Sequence, residues 1–448
     1  MSRTFTLCAA LCAALVVASA PDASAQLGSY NPPPGARGTY AIKGARIVPV
    51  GGAEIASGTV VIADGKIQSL GANAAVPAGA NVIDGNGLVV YPGMMDAGTS
   101  LGLSEVPQGA AATVDVSETG SFNPNAQAFF GINPHSAHVG VTRVVGITHV
   151  LSRPTGGIMS GQAAIMNLAG STAPEMVVVQ RAALVIELPR SGFGGRGFGF
   201  APTTGGANTQ DVNRTRQRQL DSLRTMLKDA EAYAQVMDAY AKDKLLPRPK
   251  QDVVLASMVP FVRGLSPVLL IADRATDIRE AVAFAEEMKL KPIVVGGREA
   301  WQIAAYLKQH DVPVLLSSVM DLPSREDDNY DVNYSAPGIL AKAGVRFAIT
   351  SGDAGAEARN LPYTAGMAAA FGLSKEDALK SVTLWPAQIL GVGDKLGTIE
   401  AGKMANLVIT DGDLLEAKTN TKFLFIDGRP VPLDTKHTAL FEQFKDRK

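Results

Sequence analysis

The chain has 448 residues, 46% hydrophobic and 19% charged, with a formal net charge of -1, a composition of α/β enzymes and not of disordered or fibrous chains. A pI near 6.5 and the lack of a long Lys/Arg block exclude nucleic-acid recruitment by a basic field. The expected partner is a small-molecule ligand.

The N-terminus reads as an export signal. Arg3 supplies a short positive region, Phe5 to Ala18 an apolar stretch, and Ala23-Ser24-Ala25 a small-residue cleavage site. Residues 1–25 are therefore expected to be removed before Gln26, leaving a periplasmic or extracellular protein. The apolar stretch is short for a bilayer, and no later segment reaches ~20 uninterrupted apolar residues, so no transmembrane segment is expected. Cys8 and Cys12, the only cysteines, both lie in this signal. The mature chain would then lack disulfides, thiolate ligands and cysteine nucleophiles.

After a Pro/Gly linker (31–38), Tyr40 to Ile83 reads as short strands, with Asp64-Gly65 as a tight hairpin signal. From Leu88 the pattern changes. The apolar runs GLVVYPGMMDAG, GITHVLSRP, ALVIELP, PVLLIAD, KPIVVGG, VPVLLSS and VRFAITSG alternate with helical stretches such as DIREAVAFAEEMK. Continuously apolar strands between amphipathic helices predict a parallel sheet buried on both faces, closed into a (β/α)8 TIM-type barrel. Any site is then expected at the C-terminal strand ends. The Gly-rich stretch 190–206 reads as a loop, either an inert insertion or a lid over the barrel mouth. Asp211 to Lys244 predicts one long charged helix or a helix pair. GTIEAGKMANLVITDGD and FLFIDGRPVP return to strands and Asp-Gly turns. The expected organisation is a signal at 1–25, a small composite β-sandwich domain from 26–88 and 396–448, and a barrel over 89–395.

Three phrases together resemble the amidohydrolase superfamily, especially its secreted imidazolonepropionase-like members. They are GLVVYPGMMDAGTSLG, ADRATDIREAVAFAEE and the C-terminal stretch NLPYTAGMAAAFGLSKEDALKSVTLWPAQILGVGDKLGTIEAGKMANLVITDGD. The resemblance implies hydrolysis of non-peptide C–N bonds, in a cyclic amide or amino-acid derivative. It also implies a divalent metal that polarises the scissile carbonyl and activates water, held by strand-end imidazoles and a strand-eight Asp. Where that pattern expects His-x-His after Asp96, this chain has Gly98, Thr99 and Ser100. The other two imidazole positions fall near Ile271 and Gly296.

Asp353 stands one residue beyond the expected strand-eight aspartate, with Gly352 at the aligned place. It is the candidate catalytic base, with a loop or helix-capping role as the alternative. Arg153, Asp273, Arg274, Glu299 and Arg359 follow strand ends and are candidate substrate-binding groups, suited to a zwitterion or carboxylate. The same groups could instead form internal ion pairs. Ser160 has no histidine partner in the pattern and is a poor nucleophile candidate. Of the five histidines, His310 and His437 read as solvated and His149 as a packed strand residue. His135 and His138, three apart, could share a helix face and bind metal. No metal site is predicted; Zn²⁺ or Mn²⁺ would require an unconventional one. Two functional classes stay open: an amidohydrolase-type hydrolase with a degenerate metal site, or a catalytically inactive, metal-free barrel. The inactive barrel would bind a ligand or pair with an active homologue, and homo-oligomers are compatible with either class.

Overall fold

The computed structural model describes residues 31–106, 111–189 and 209–447. The expected signal (1–25) and the Gly-rich stretch (190–206) lie outside the described residues.

The N-terminal strands are β1 (Tyr40–Ile47), β2 (Ile55–Ala63), β3 (Lys66–Gly71), β4 (Asn81–Asp84) and β5 (Val89–Pro92). The barrel follows as β6 (Met94–Thr99), β7 (Ile147–Ser152), β8 (Met159–Asn167), β9 (Val177–Ile186), β10 (Val268–Ala272), β11 (Pro292–Gly296), β12 (Val314–Leu316) and β13 (Phe347–Ile349). The chain returns through β14 (Leu407–Thr410), β15 (Thr421–Ile426) and β16 (Arg429–Pro430).

The first and last groups form one sheet, ordered β16-β15-β14-β5-β1-β2-β3 with β4 beside β1. Its composite nature rests on the antiparallel pairing of β5 with β14, Leu407 opposite Pro92. The Asp64-Gly65 signal is a two-residue hairpin between Ala63 and Lys66. Both turn residues have positive φ, 51° and 78°, which matches the twist of the strands they join.

The barrel strands lie in chain order from β6 to β13, and β6 approaches β13 to bring the barrel near closure. Seven of the eight were legible as apolar runs; β8 was not. Its sequence, MSGQAAIMN, is small and polar for a strand yet wholly buried. Only residues 153–158 separate β7 from β8, too few for the crossover helix that a parallel connection needs. β8 therefore runs antiparallel to both β7 and β9, and the remaining ladders are parallel.

Alternation along the strands sorts the core into two layers. Met95, Leu151, Ile165, Leu269, Ile293, Val295, Leu315 and Ala348 fill the interior. Leu270, Val294, Phe347 and Ile349 face outward and pack with Ile278 and Val282 of the helix Ala275–Glu287. The barrel is thus a packed core and not a pore. The charged stretch near 211–244 is one 34-residue helix, Thr209–Lys242. Among the described residues no helix is long and apolar enough to cross a membrane.

β5 belongs to the companion sheet, so the barrel begins at Met94 and not at residue 89. The joint is Gly93, where a Cβ would lie 2.1 Å from the Thr148 hydroxyl. Its N–H donates to the Asn406 carbonyl at 2.8 Å. Asn406 continues the joint into the barrel floor. Its Nδ2 donates to Asn167 Oδ1 at 2.8 Å, and its Oδ1 accepts from the Asp427 N–H at 2.8 Å. His149 Nδ1 faces the Thr148 hydroxyl at 2.7 Å and Asn406 Nδ2 at 3.4 Å. His149 is fully buried, and that burial pushes its pKa down to about 3, which keeps the ring neutral.

Candidate functional site at the barrel mouth

Three strand ends build the mouth. β6 ends at Thr99, whose carbonyl accepts from the Arg153 N–H at 3.0 Å. This bond extends the ladder past β7 and carries Arg153 to the rim. On the far side of the seam, the Thr350 N–H donates to the Leu316 carbonyl at 2.9 Å. The chain then turns at Gly352, with φ +79°. That left-handed step, which glycine tolerates best, sets Asp353 on the rim.

Arg153 and Asp353 form an ion pair across these ends. The two partners are unequal: the arginine side chain is 5% exposed and the aspartate 58%. Arg153 Nε is buried without a hydrogen-bond partner among the described residues. The Ser100 hydroxyl donates to the Asp353 carbonyl, so the residue at the second expected imidazole position holds the backbone of the candidate base. Beside Arg153, Pro154 and Ser160 line a polar pocket of about 200 Å³ with Asp115, Glu118, Asn125 and Gln127.

Beneath the pair lies Asp96, which the sequence reading passed over as part of a signature phrase. Its carboxylate is fully buried. It accepts from the Gly98 N–H at 3.3 Å and the Ser351 N–H at 3.2 Å through Oδ1, and from the Ser351 hydroxyl through Oδ2. Asp96 therefore bridges β6 to the end of β13, where the barrel must close, and holds the segment that presents Asp353. Burial raises its pKa to about 6, against the lowering pull of the Ser351 and Gly98 hydrogen bonds and of the Arg153 charge. A lone carboxylate inside the uncharged run GLVVYPGMMDAG was the signal available in the sequence.

The remaining candidates stand apart from this cluster. Glu299 is buried and accepts from the Ala275 N–H at 2.9 Å, capping the helix Ala275–Glu287, with Arg325 at 3.7 Å. Asp273 packs against Gly296, where a Cβ would come within 2.5 Å of its Oδ1. Its carbonyl accepts from the Glu299 N–H at 2.8 Å. Arg274 precedes the same helix and is exposed, and Arg359 is exposed in the 3-10 turn Gly355–Asn360.

His135 and His138 do not share a helix face, because the helix begins only at Ala137. The His138 ring is engaged by the Glu105 carbonyl at 2.9 Å. His310 pairs with Glu286 instead of standing free in solvent. Among the described residues no group of three or more His, Cys, Asp or Glu is arranged to hold a metal ion.

None of the curated protein sequences matches the chain. Solved structures do. An amidohydrolase from Thermotoga maritima MSB8 is 24% identical, with a TM-score of 0.74 over 88% of this chain and 99% of that one. A molinate hydrolase is 16% identical, with a TM-score of 0.55 over 89% and 95%. A Xaa-Pro dipeptidase with bound methionine is 16% identical, with a TM-score of 0.50 over 88% and 99%. At these identities the likeness is one of fold. In sequence, residues 268–433 match the amidohydrolase family. The chain thus carries the amidohydrolase family's sequence over residues 268–433, on an amidohydrolase-type barrel with its companion sheet.

Proposed function

We propose that the chain is a hydrolase of non-peptide C–N bonds in a carboxylate-bearing cyclic amide or amino-acid derivative, working at the barrel mouth without a conventional metal centre. The observation that carries this reading is the unequal Arg153–Asp353 pair. A buried guanidinium is a bidentate receptor for a carboxylate, and here its partner is a largely exposed aspartate. A substrate carboxylate that takes the place of Asp353 on Arg153 would leave Asp353 beside the bound amide. Asp353 would then accept a proton from the water that attacks the amide carbon, and return it to the departing nitrogen as the C–N bond breaks. The names of the similar structures, molinate hydrolase and dipeptidase, share hydrolysis as a reaction class. The imidazolonepropionase-like character belongs to this proposal, as does export to the periplasm or beyond after cleavage before Gln26.

The family's divalent metal does not suit the residues at the strand ends. Gly98, Ser100, Ile271 and Gly296 bring no imidazole there, and Asp353 is engaged by Arg153. That donor set favours a second reading, a metal-free barrel that binds the same ligands without cleaving them, alone or beside an active homologue. The test is to incubate purified protein with N-acetyl amino acids and five-membered cyclic amides, following cleavage by NMR and metal content by elemental analysis. Cleavage abolished in both Arg153→Met and Asp353→Asn supports the hydrolase. Cleavage indifferent to both variants overturns the assignment to the mouth. Ligand binding that needs Arg153 but yields no product selects the second reading. Stoichiometric Zn²⁺ or Mn²⁺ sinks the metal-free mechanism.

A further inference from the structure

A cleft of about 750 Å³ opens between the companion sheet and the helices Leu361–Ala370 and Lys375–Ser381, and neither Arg153 nor Asp353 lines it. Its volume falls within the range of small-molecule sites, which favour interfaces between structural units. The floor is apolar, with buried Val48 and Tyr91 beside Leu379 and Leu415. Gly366 lets helix and loop approach: a Cβ there would lie 2.7 Å from the Leu415 carbonyl. At the rim Tyr363 presents a ring that is 41% exposed.

The charges around this floor do not cancel. Arg46 is held by Glu54, whose Oε2 accepts from Nε at 3.1 Å and from Nη2 at 2.7 Å. Glu376 is held by Lys380 at 2.5 Å. That leaves Lys375 to serve both Asp413 and Glu416, at 3.9 and 3.8 Å, with its side chain 77% exposed. Both separations exceed a hydrogen bond, so one carboxylate lacks a matching cation. Burial, then the Asp413 charge, push the Tyr91 hydroxyl up to about 12, while the Arg46 charge and a hydrogen bond with the Leu414 backbone pull it down and Glu54 adds a smaller push.

We propose that this cleft is a second binding site, specific for a small amphiphilic monocation. Its apolar or aromatic body lies on the Val48, Tyr91 and Leu379 floor, and its primary ammonium sits between Asp413 and Glu416. An ammonium carries three donors and no acceptor, which suits two carboxylates that one distant lysine serves. An anion of the same shape meets the uncompensated carboxylate and is rejected.

The experiment is calorimetric titration of the full chain at low salt with phenethylamine, with phenylpropionate as the anionic probe. Phenethylamine is expected to bind about tenfold more tightly than phenylpropionate. The gap is expected to narrow by about fivefold in the Asp413→Asn/Glu416→Gln double variant, the size expected for loss of an exposed charge contact. Ala370→Trp, at an exposed position lining the cleft, is expected to abolish binding with no change of charge, while Arg153→Met leaves it intact. Thermal unfolding checks that each variant is folded. No detectable binding of phenethylamine, equal binding of the anion, or binding unaffected by both cleft variants would overturn the proposal. Loss of binding in Arg153→Met would place the amine at the barrel mouth and overturn it too.

Discussion

The barrel carries a polar cluster at each end, and the two are built on different terms. At the floor, Thr148, His149, Asn167 and Asn406 are buried and neutral, and they join two barrel strands to the companion sheet. At the mouth, Asp96 is buried, Arg153 nearly so, and Asp353 reaches solvent. A neutral network inside a protein stabilises one arrangement when its members find partners; here His149 is held through Nδ1, while its buried Nε2 has no partner among the described residues. A charged pair with one exposed member can exchange that member for a ligand carboxylate at little cost, because the buried guanidinium keeps an anionic partner throughout. Full burial therefore marks the groups that hold the fold, and the half-exposed pair is where the proposed ligand exchange would take place. Asp96 tests this division, since it lies at the mouth but is buried like the floor.

The largest expected effect follows from that position. Asp96→Ala leaves two N–H groups and the Ser351 hydroxyl without their acceptor, and should destabilise the protein by about 3–5 kcal/mol in denaturant titration. Asp353→Ala should cost less, about 1–3 kcal/mol, because it takes a partner from the buried Arg153 guanidinium but breaks no other buried bond of its side chain. Equal effects would erase the distinction between buried and exposed mouth groups.

Asn406→Ala should come next, at about 2–3 kcal/mol, because the Asp427 N–H and Asn167 lose partners inside the joint. A loss below ~0.5 kcal/mol would mean that the Asn406 side chain does not hold the joint, leaving it to backbone hydrogen bonds and apolar contacts.

Acid titration sharpens the comparison through opposite signs. Burial pushes the His149 pKa down to about 3 in the fold, against an ordinary value of 6.5. Its contribution is therefore present above pH 6.5 and is lost as the unfolded chain takes up the proton that the fold refuses, down toward pH 3. Asp96 titrates near 6 against 3.8. Its contribution is full below pH 3.8 and is lost as pH rises through 6. Between pH 6 and 3.8 the two slopes oppose each other, each at most about 1.4 kcal/mol per unit. His149→Gln should therefore flatten or reverse the loss of stability on acidification in that window, and Asp96→Asn should steepen it. Parallel curves for the wild type and both variants would show that neither group controls the acid response.

The smallest effect on stability belongs to Asp353→Asn, expected within ~0.5 kcal/mol of wild type. Its weight should fall on cleavage or ligand binding, and a large stability change with unaltered binding would return Asp353 to a structural role.

The legible part of the fold was the part driven by local pattern. Strands such as VLLIA and PIVVG announced themselves as buried runs, and Asp64-Gly65 as a turn by its need for positive φ. That Gly98, Ser100, Ile271 and Gly296 are not histidines was equally readable in the sequence. β8 escaped because its buried apolar residues, Met159, Ala163, Ala164, Ile165 and Met166, are mixed with Ser160, Gly161, Gln162 and Asn167 and make no apolar run. The site was less legible still. Arg153 and Asp353 were each visible as strand-end charges, but Glu299 carried the same mark and turned out to cap a helix.

What the sequence determined alone was periodicity and chemistry: alternating strands and helices, turn residues, and the side chains available at strand ends. Only the tertiary structure decided which charges met. Arg153 and Asp353 are brought together by barrel closure, Asn406 reaches Asn167 because the companion sheet docks under the floor, and Asp96 becomes a bridge because β13 ends beside β6. Such contacts depend on pairings between segments hundreds of residues apart. No local pattern encodes them, and the low dielectric that shifts Asp96 and His149 exists only once the barrel has formed.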